Sequence, residues 1–180
     1  MLLITNFIKN FLYGYLVKKN NIIFYIKYNF LYPLVFFLKY NSVIKNYTLI
    51  DINVIDFINE KNRFELTYFF INKFNRICLK LAIPINIYIL SISSLFNAAN
   101  WLEREIWDMF GVKILLHPNL RRILTDYGFK GHPLCKNFPL IGFVELNYDN
   151  AYKNISINPV EFSQKIRLYK FENPWTAWKK

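Results

Sequence analysis

Glycine is scarce in this chain, five in 180 residues, and none of the five falls in a glycine-rich phosphate loop. That absence removes the recognisable mechanisms for holding a nucleotide. Cysteine is scarcer still. Cys78 and Cys135 stand alone, with no paired C-x₂-C spacing, so neither a disulfide framework nor a zinc site is available, and both read as free thiols of a reducing compartment. The two histidines, His117 and His132, have no adjacent nucleophile that would make a catalytic pair. Acidic residues number 12 against 23 Lys and Arg, leaving a net charge of +11. Such an excess invites a nucleic-acid partner. Yet the lysines are scattered, with doublets only at Lys18-Lys19 and Lys179-Lys180, and no RNA-binding signature occurs. Contact with acidic neighbours or anionic lipid is the other use of a basic surface.

What is abundant is aromatic and aliphatic. Phe 18, Tyr 13 and a hydrophobic share of 54% suffice for a real core, and 180 residues suit one domain with an appendage. The richness in Phe, Tyr, Ile, Asn and Lys looks like translation of an AT-rich genome, which warns against reading each Asn or Lys as functional. Residues 2–17 read as an amphipathic helix, lacking the charged start and cleavage site of a signal peptide. Asn21–Tyr28 reads as a strand and Phe30–Lys39 as a short helix. Leu49–Ile58 alternates, with Ile50, Ile52 and Val54 on one side of the pleat and Asp51 and Asn53 on the other. Polar turns at 59–62 and 72–75 lead into Arg63–Ile71 and Arg76–Ile83, completing an antiparallel meander. The uncharged run Leu81–Leu102 is long enough to span a membrane, but its Pro84, Asn and Ser residues divide it into a strand end, a loop and the start of a helix.

That helix is the centre of the sequence. At 100° per residue Leu95, Ala98, Ala99, Leu102, Ile106, Met109 and Phe110 share one face, Ser93 or Ser94 is placed to cap its start, and Gly111 to end it. Glu103, Glu105 and Asp108 sit in its C-terminal half, where the helix dipole disfavours anions. Arg104 can reach Asp108 one turn on, in the weaker order for such a pair. Glu103 lies among Phe96, Trp107 and Phe110 on the wheel, which implies a half-buried carboxylate with Arg121 or Arg122 as its partner across the His117-Pro118 turn. From His117 to Pro139 the chain is studded with Pro118, Gly128, Gly131, Pro133 and Pro139, so it forms neither one long helix nor a central strand. An extended segment this aromatic is expected to lie over a partner. Strand-like stretches return at Ile141–Tyr148 and Asn154–Ile157.

The wording of this region closely resembles one family. Asn100-Trp101-Leu102-Glu103-Arg104-Glu105, Asp108-Met109-Phe110-Gly111, the run His117 to Phe129 and Gly131-His132-Pro133-Leu134 are similar to the signature of the 30-kDa subunit of proton-pumping NADH:ubiquinone oxidoreductase, respiratory complex I. Phe64-Glu65-Leu66-Thr67-Tyr68 and Asn173-Pro174-Trp175 look like it too. Cys135, Asn137 and Asn147 depart from the family pattern, which puts one ion-pair set of the tail in question.

The expected architecture is α+β: a small antiparallel or mixed β-sheet covered by helices over residues 1–112, followed by an extended C-terminal tail over 113–180 that packs on partner subunits. The resemblance implies a core subunit of the matrix arm at the mitochondrial inner membrane, without cofactor, metal or catalytic site of its own. It implies a hetero-oligomer with other complex I subunits, chiefly the 49-kDa quinone-module subunit, with no nucleic acid and no membrane span. The signature residues expected to face partners are Glu103, Arg104, Glu105, Asp108, His117, Arg121, Arg122, Asp126, Tyr127, His132 and Trp175. The alternatives are an organellar ribosomal or RNA-binding protein, or the homologous subunit of a membrane hydrogenase or plastid complex.

Overall fold

The computed structural model describes residues 12–18, 21–41, 47–73 and 75–167. Five strands form one mixed sheet: β1 (Leu12–Lys18), β2 (Asn21–Ile26), β3 (Thr48–Asp56), β4 (Phe64–Ile71) and β5 (Arg76–Ile83), in the order β1-β2-β5-β4-β3. The meander β3-β4-β5 is antiparallel throughout, whereas β2 runs parallel to β5. That parallel pair needs a crossover, and the connection from β2 begins with a 3-10 turn at Tyr28–Phe30 and helix α1 (Leu31–Tyr40).

Alternation explains which side of the sheet is covered. Ile22, Phe24 and Ile26 of β2, Phe64, Leu66, Tyr68 and Phe70 of β4, and Ile77, Leu79, Leu81 and Ile83 of β5 are all buried. They form one core with Leu31, Leu34, Val35 and Leu38 of α1 and with Ala99 and Ile106 of helix α2 (Ala99–Phe110). The Lys39 ammonium reaches across from α1 to the Leu95 carbonyl. Two short strands, β6 (Ile89–Leu90) and β7 (Ile114–Leu115), pair in parallel on either side of α2. No helix of the described residues is long and apolar enough to cross a membrane.

Three local expectations are corrected. Residues 12–17 form β1 and not the end of a helix. Tyr15 and Val17 lie opposite Phe24 and Ile22, and such aromatic and β-branched cross-strand pairs prevail over the apolar spacing; residues 2–11 lie outside the described residues. In β3 the register shifts between Leu49 and Asp51, so Ile50 is an extra residue. Leu49 and Ile52 consequently both face the core, while Ile50 is exposed. Helix α2 begins at Ala99, with no side chain capping it. Ser93 instead lies in a turn that precedes it, where its N–H bonds to the Ser91 hydroxyl.

By its contacts the chain forms two compact units, Met1–Phe138 and Pro139–Lys180. Residues 113–138 thus group with the first unit. The second contains an antiparallel hairpin, β8 (Val144–Asp149) and β9 (Asn154–Pro159).

Candidate functional site: helix α2 and the chain that returns over it

Helix α2 buries more than its apolar stripe. Ala99 and Ile106 are buried, and so are Glu103, Arg104 and Asp108. The segment that follows covers the polar side, and it does so through the helix end. Gly111 takes the left-handed conformation expected of it, φ 73°, and its N–H bonds to Trp107 O at 2.9 Å. The remaining carbonyls of the last turn are met by the returning chain. His132 Nδ1 bonds to Asp108 O at 2.9 Å, Leu134 N–H to Met109 O at 3.0 Å and the Cys135 thiol to Phe110 O at 3.1 Å. Every carbonyl orphaned at this helix terminus has a donor.

Asp108 organises the next layer. Its Oδ2 accepts the N–H groups of Ile123, Leu124 and Thr125 at 3.2, 2.8 and 3.0 Å. Its Oδ1 accepts the Thr125 hydroxyl at 2.7 Å and Arg122 Nη1 at 3.1 Å. Burial alone would raise this carboxyl, but the Thr125 hydroxyl and the three N–H groups outweigh it and hold the group at about 2. The Arg122 guanidinium also lies over the rings of Trp107 and Phe129, at 5.6 and 5.8 Å.

Glu103 is 1% exposed, more deeply buried than its wheel position implied. Neither Arg121 nor Arg122 is its partner, because Arg122 is taken by Asp108. Ser91 Oγ donates to Oε2 at 2.5 Å and Ile92 N–H to Oε1 at 2.8 Å, which ties α2 to the end of β6. His117 Nε2 lies 4.0 Å from Oε2. The Asn119 N–H donates to His117 Nδ1 at 3.1 Å, which leaves Nε2 to donate to Asn100 O at 3.2 Å. Burial pushes the Glu103 carboxyl up to about 7, against the opposing pull of the Ser91 hydroxyl and the Ile92 N–H.

The other expected residues divide clearly. Arg104 is buried too; its Nε donates to Arg121 O at 3.1 Å, not to Asp108, and its guanidinium lies over Trp101 at 5.0 Å. Glu105, Arg121, Asp126 and Tyr127 are exposed, Tyr127 completely. Asp126 shapes its own turn by accepting the Tyr127 N–H at 2.7 Å. Trp175 lies outside the described residues. Two residues that sequence reasoning passed over fasten the returning chain to the sheet. Asp56 accepts Arg63 Nε and Nη2 at 2.6 and 2.8 Å and also the Lys136 N–H at 2.8 Å. Their signal was available, since an acid and a base flank the polar turn between β3 and β4.

The hydroxyls of this constellation are engaged with carboxylates, Ser91 with Glu103 and Thr125 with Asp108. Two surface hollows of the first unit lie on its sheet around Ile23, Phe69 and Cys78. Among the described residues no group of His, Cys, Asp and Glu is arranged to hold a metal ion.

A family model described as the respiratory-chain NADH dehydrogenase 30 Kd subunit matches residues 24–144, which includes the whole of α2 and the returning segment. The chain belongs to that family. Its relatives agree over most of their length. An NADH-ubiquinone oxidoreductase subunit 9 from Acanthamoeba castellanii is 46% identical over 178 residues, covering 96% of this chain and 90% of the relative. NADH dehydrogenase [ubiquinone] iron-sulfur protein 3 from Oryza sativa subsp. japonica is 46% identical over 154 residues, covering 84% and 81%. Two solved structures share the fold. A trypsin-resistant fragment of Nqo5 aligns with a TM-score of 0.51 at 21% identity, over 59% of this chain and 90% of that one. A chain of an archaeal membrane-bound sulfane sulfur reductase aligns with a TM-score of 0.66 at 19% identity, over 78% and 85%.

The 30-kDa family places this chain as one subunit of a hetero-oligomeric respiratory NADH dehydrogenase, complex I. The words iron-sulfur in the rice relative's name find no four-cysteine donor set here. Cluster types held by cysteine take four thiolates, and the whole chain has two cysteines. One of them, Cys135, spends its thiol on Phe110 O.

Proposed function

We propose that this member of the 30-kDa family is a non-catalytic brace of the peripheral arm on the matrix side of the mitochondrial inner membrane, holding the quinone-reducing module together and seated chiefly on the 49-kDa subunit. One observation carries the reading. In the β8–β9 hairpin, Val144, Leu146 and Tyr148 lie opposite Pro159, Ile157 and Ile155, while Glu145, Asn147 and Asp149 lie opposite Asn158, Ser156 and Asn154. Opposed residues share a face. One face is therefore wholly apolar and the other wholly polar. Val144, Leu146, Tyr148, Ile155 and Ile157 are each more than half exposed. A lone two-stranded hairpin is marginal in water, and an apolar face this continuous marks a protein contact.

The charge pattern argues against the nucleic-acid alternative. The apolar face carries no cation, and the polar face carries Glu145 and Asp149, whereas phosphate binding requires Lys and Arg. The 46% identity to ubiquinone-type subunits favours complex I over a hydrogenase or plastid relative. A photo-cross-linking residue at Leu146 or Ile157, introduced into the assembled complex, tests the seat. The expected product joins this chain to the 49-kDa subunit; cross-links exclusively to another subunit would remove that subunit from the reading.

A further inference from the structure

A chain of hydroxyls connects Glu103 to the surface. Ser91 Oγ lies 2.5 Å from Glu103 Oε2 and 2.7 Å from Ser93 Oγ. Glu103 and Ser91 are 1% and 5% exposed, whereas Ser93 is partly open to solvent. The groups that face the carboxyl come from several elements. His117 from the loop after β7 is 4.0 Å away, and Tyr68 of β4 is close enough for the Glu103 charge to raise its hydroxyl further. On α2 itself the neighbouring Arg104 turns away to Arg121 O. No lysine or arginine of the described residues pairs with Glu103.

The partners suit both protonation states. With Glu103 ionised, the Ser91 hydroxyl donates to Oε2, the Ser93 hydroxyl donates to Ser91 Oγ, and the Ser93 N–H donates there too. With Glu103 protonated, Oε2–H donates to Ser91 Oγ and the Ser91 hydroxyl turns to donate to Ser93 Oγ. Oε1 accepts the Ile92 N–H in either case. A hydroxyl can reverse in this way because it both donates and accepts. The donors around Asp108 are mostly backbone N–H groups, which cannot reverse.

We propose that Glu103 is a proton-binding site in exchange with solvent through the Ser91 and Ser93 hydroxyls, taking up and releasing a proton while α2 stays fastened to β6. On release, Oε2–H passes its proton to Ser91 Oγ, Ser91 passes its own to Ser93 Oγ, and Ser93 passes its own to water. Each hydroxyl ends with one proton and the glutamate ends as carboxylate. Burial, which sets this carboxyl at about 7, lets both states exist near neutral pH.

Infrared spectroscopy of the purified full chain reads the carboxylic-acid C=O band directly. The wild type is expected to lose one such band as pH rises through neutrality, and Glu103→Gln, an isosteric change, is expected to lack that titration. On transfer to heavy water at pH 6 the band should shift rapidly in the wild type. In Ser93→Ala the shift should be about tenfold slower or more, the rate effect of a barrier raised by one broken step. Ser93→Thr keeps a hydroxyl and should restore the wild-type rate. A wild-type chain with no titrating acid band near neutrality overturns the proposal, as does an exchange rate that Ser93→Ala leaves unchanged.

Discussion

Glu103 and Asp108 are buried on one helix five residues apart, but among the described residues only Asp108 pairs with an arginine or lysine, Arg122 Nη1 at 3.1 Å. Asp108 also has three backbone N–H groups aimed at one oxygen, whereas Glu103 has a hydroxyl and a single N–H. Burial pushes both carboxyls up, but only at Asp108 do the hydrogen bonds outweigh it, so one group ends below its usual value and the other above.

The two shifts give pH dependences of opposite sign. Asp108 falls from 3.8 to about 2 on folding, so it stabilises the fold above pH 3.8 and that contribution is lost as pH falls through about 2. Glu103 rises from 4.5 to about 7, so its favourable state is complete below 4.5 and is lost as pH rises through about 7. Denaturant titrations at a series of pH values should show stability declining between pH 4.5 and 7 with a slope approaching ~1.4 kcal/mol per unit. Glu103→Gln should flatten that window. Asp108→Asn should leave the window intact and lower stability throughout, by roughly 3–5 kcal/mol as for a broken buried pair.

Gly111 meets His132 more closely than any side chain could. A Cβ built on Gly111 would stand 2.6 Å from the His132 ring, at a φ of 73° that other residues rarely adopt. Gly111→Ala is expected to cost about 1–2 kcal/mol from conformation alone, plus the displacement of the ring that caps Asp108 O. The clash disappears if the ring is absent. In a double-mutant cycle with His132→Ala, Gly111→Ala should therefore cost less than it does in the wild type. Additive effects would show that the ring moves aside freely.

Asp56 and Arg63 hold the end of the returning chain. Arg63 draws the Asp56 carboxyl below its usual range, with burial working against it. Asp56→Ala strands a guanidinium that is 8% exposed and frees the Lys136 N–H. The expected loss is roughly 3–5 kcal/mol, accompanied by faster proteolysis after Lys136. Arg63→Ala should match the stability loss but protect Lys136 better, because Asp56 keeps that bond. Equal cleavage in the two variants would mean the Lys136 bond adds nothing.

The strands were legible because the polar turns at 59–62 and 72–75 bracket them, and strands Phe64–Ile71 and Arg76–Ile83 begin within a residue of those turns. Gly111 was legible for the same local reason, since a left-handed helix end favours one residue type. The site's partners were not. A helical wheel shows that Glu103 points toward apolar neighbours, but its donors, Ser91 and Ile92, come from the preceding strand end, which no periodicity places. Ile50 failed differently. One extra residue in β3 reverses the alternation, and a bulge is fixed by pairing with β4 rather than by the strand's own sequence.

The hairpin offers the sharpest separation of stability from assembly. Leu146 and Ile157 face each other on its apolar side, 52% and 68% exposed, so in the free chain an aspartate at either position meets mostly water. Leu146→Asp and Ile157→Asp should leave the unfolding free energy within about 0.5 kcal/mol of wild type, as surface substitutions do. In the assembled complex the same charge would be buried without a partner, which is costly. The amount of complex recovered on a native gel should then fall sharply, while activity per assembled complex is unchanged. Asn147→Asp, on the polar face, serves as the control and should assemble normally. If both faces respond alike, the hairpin is not seated by its apolar side.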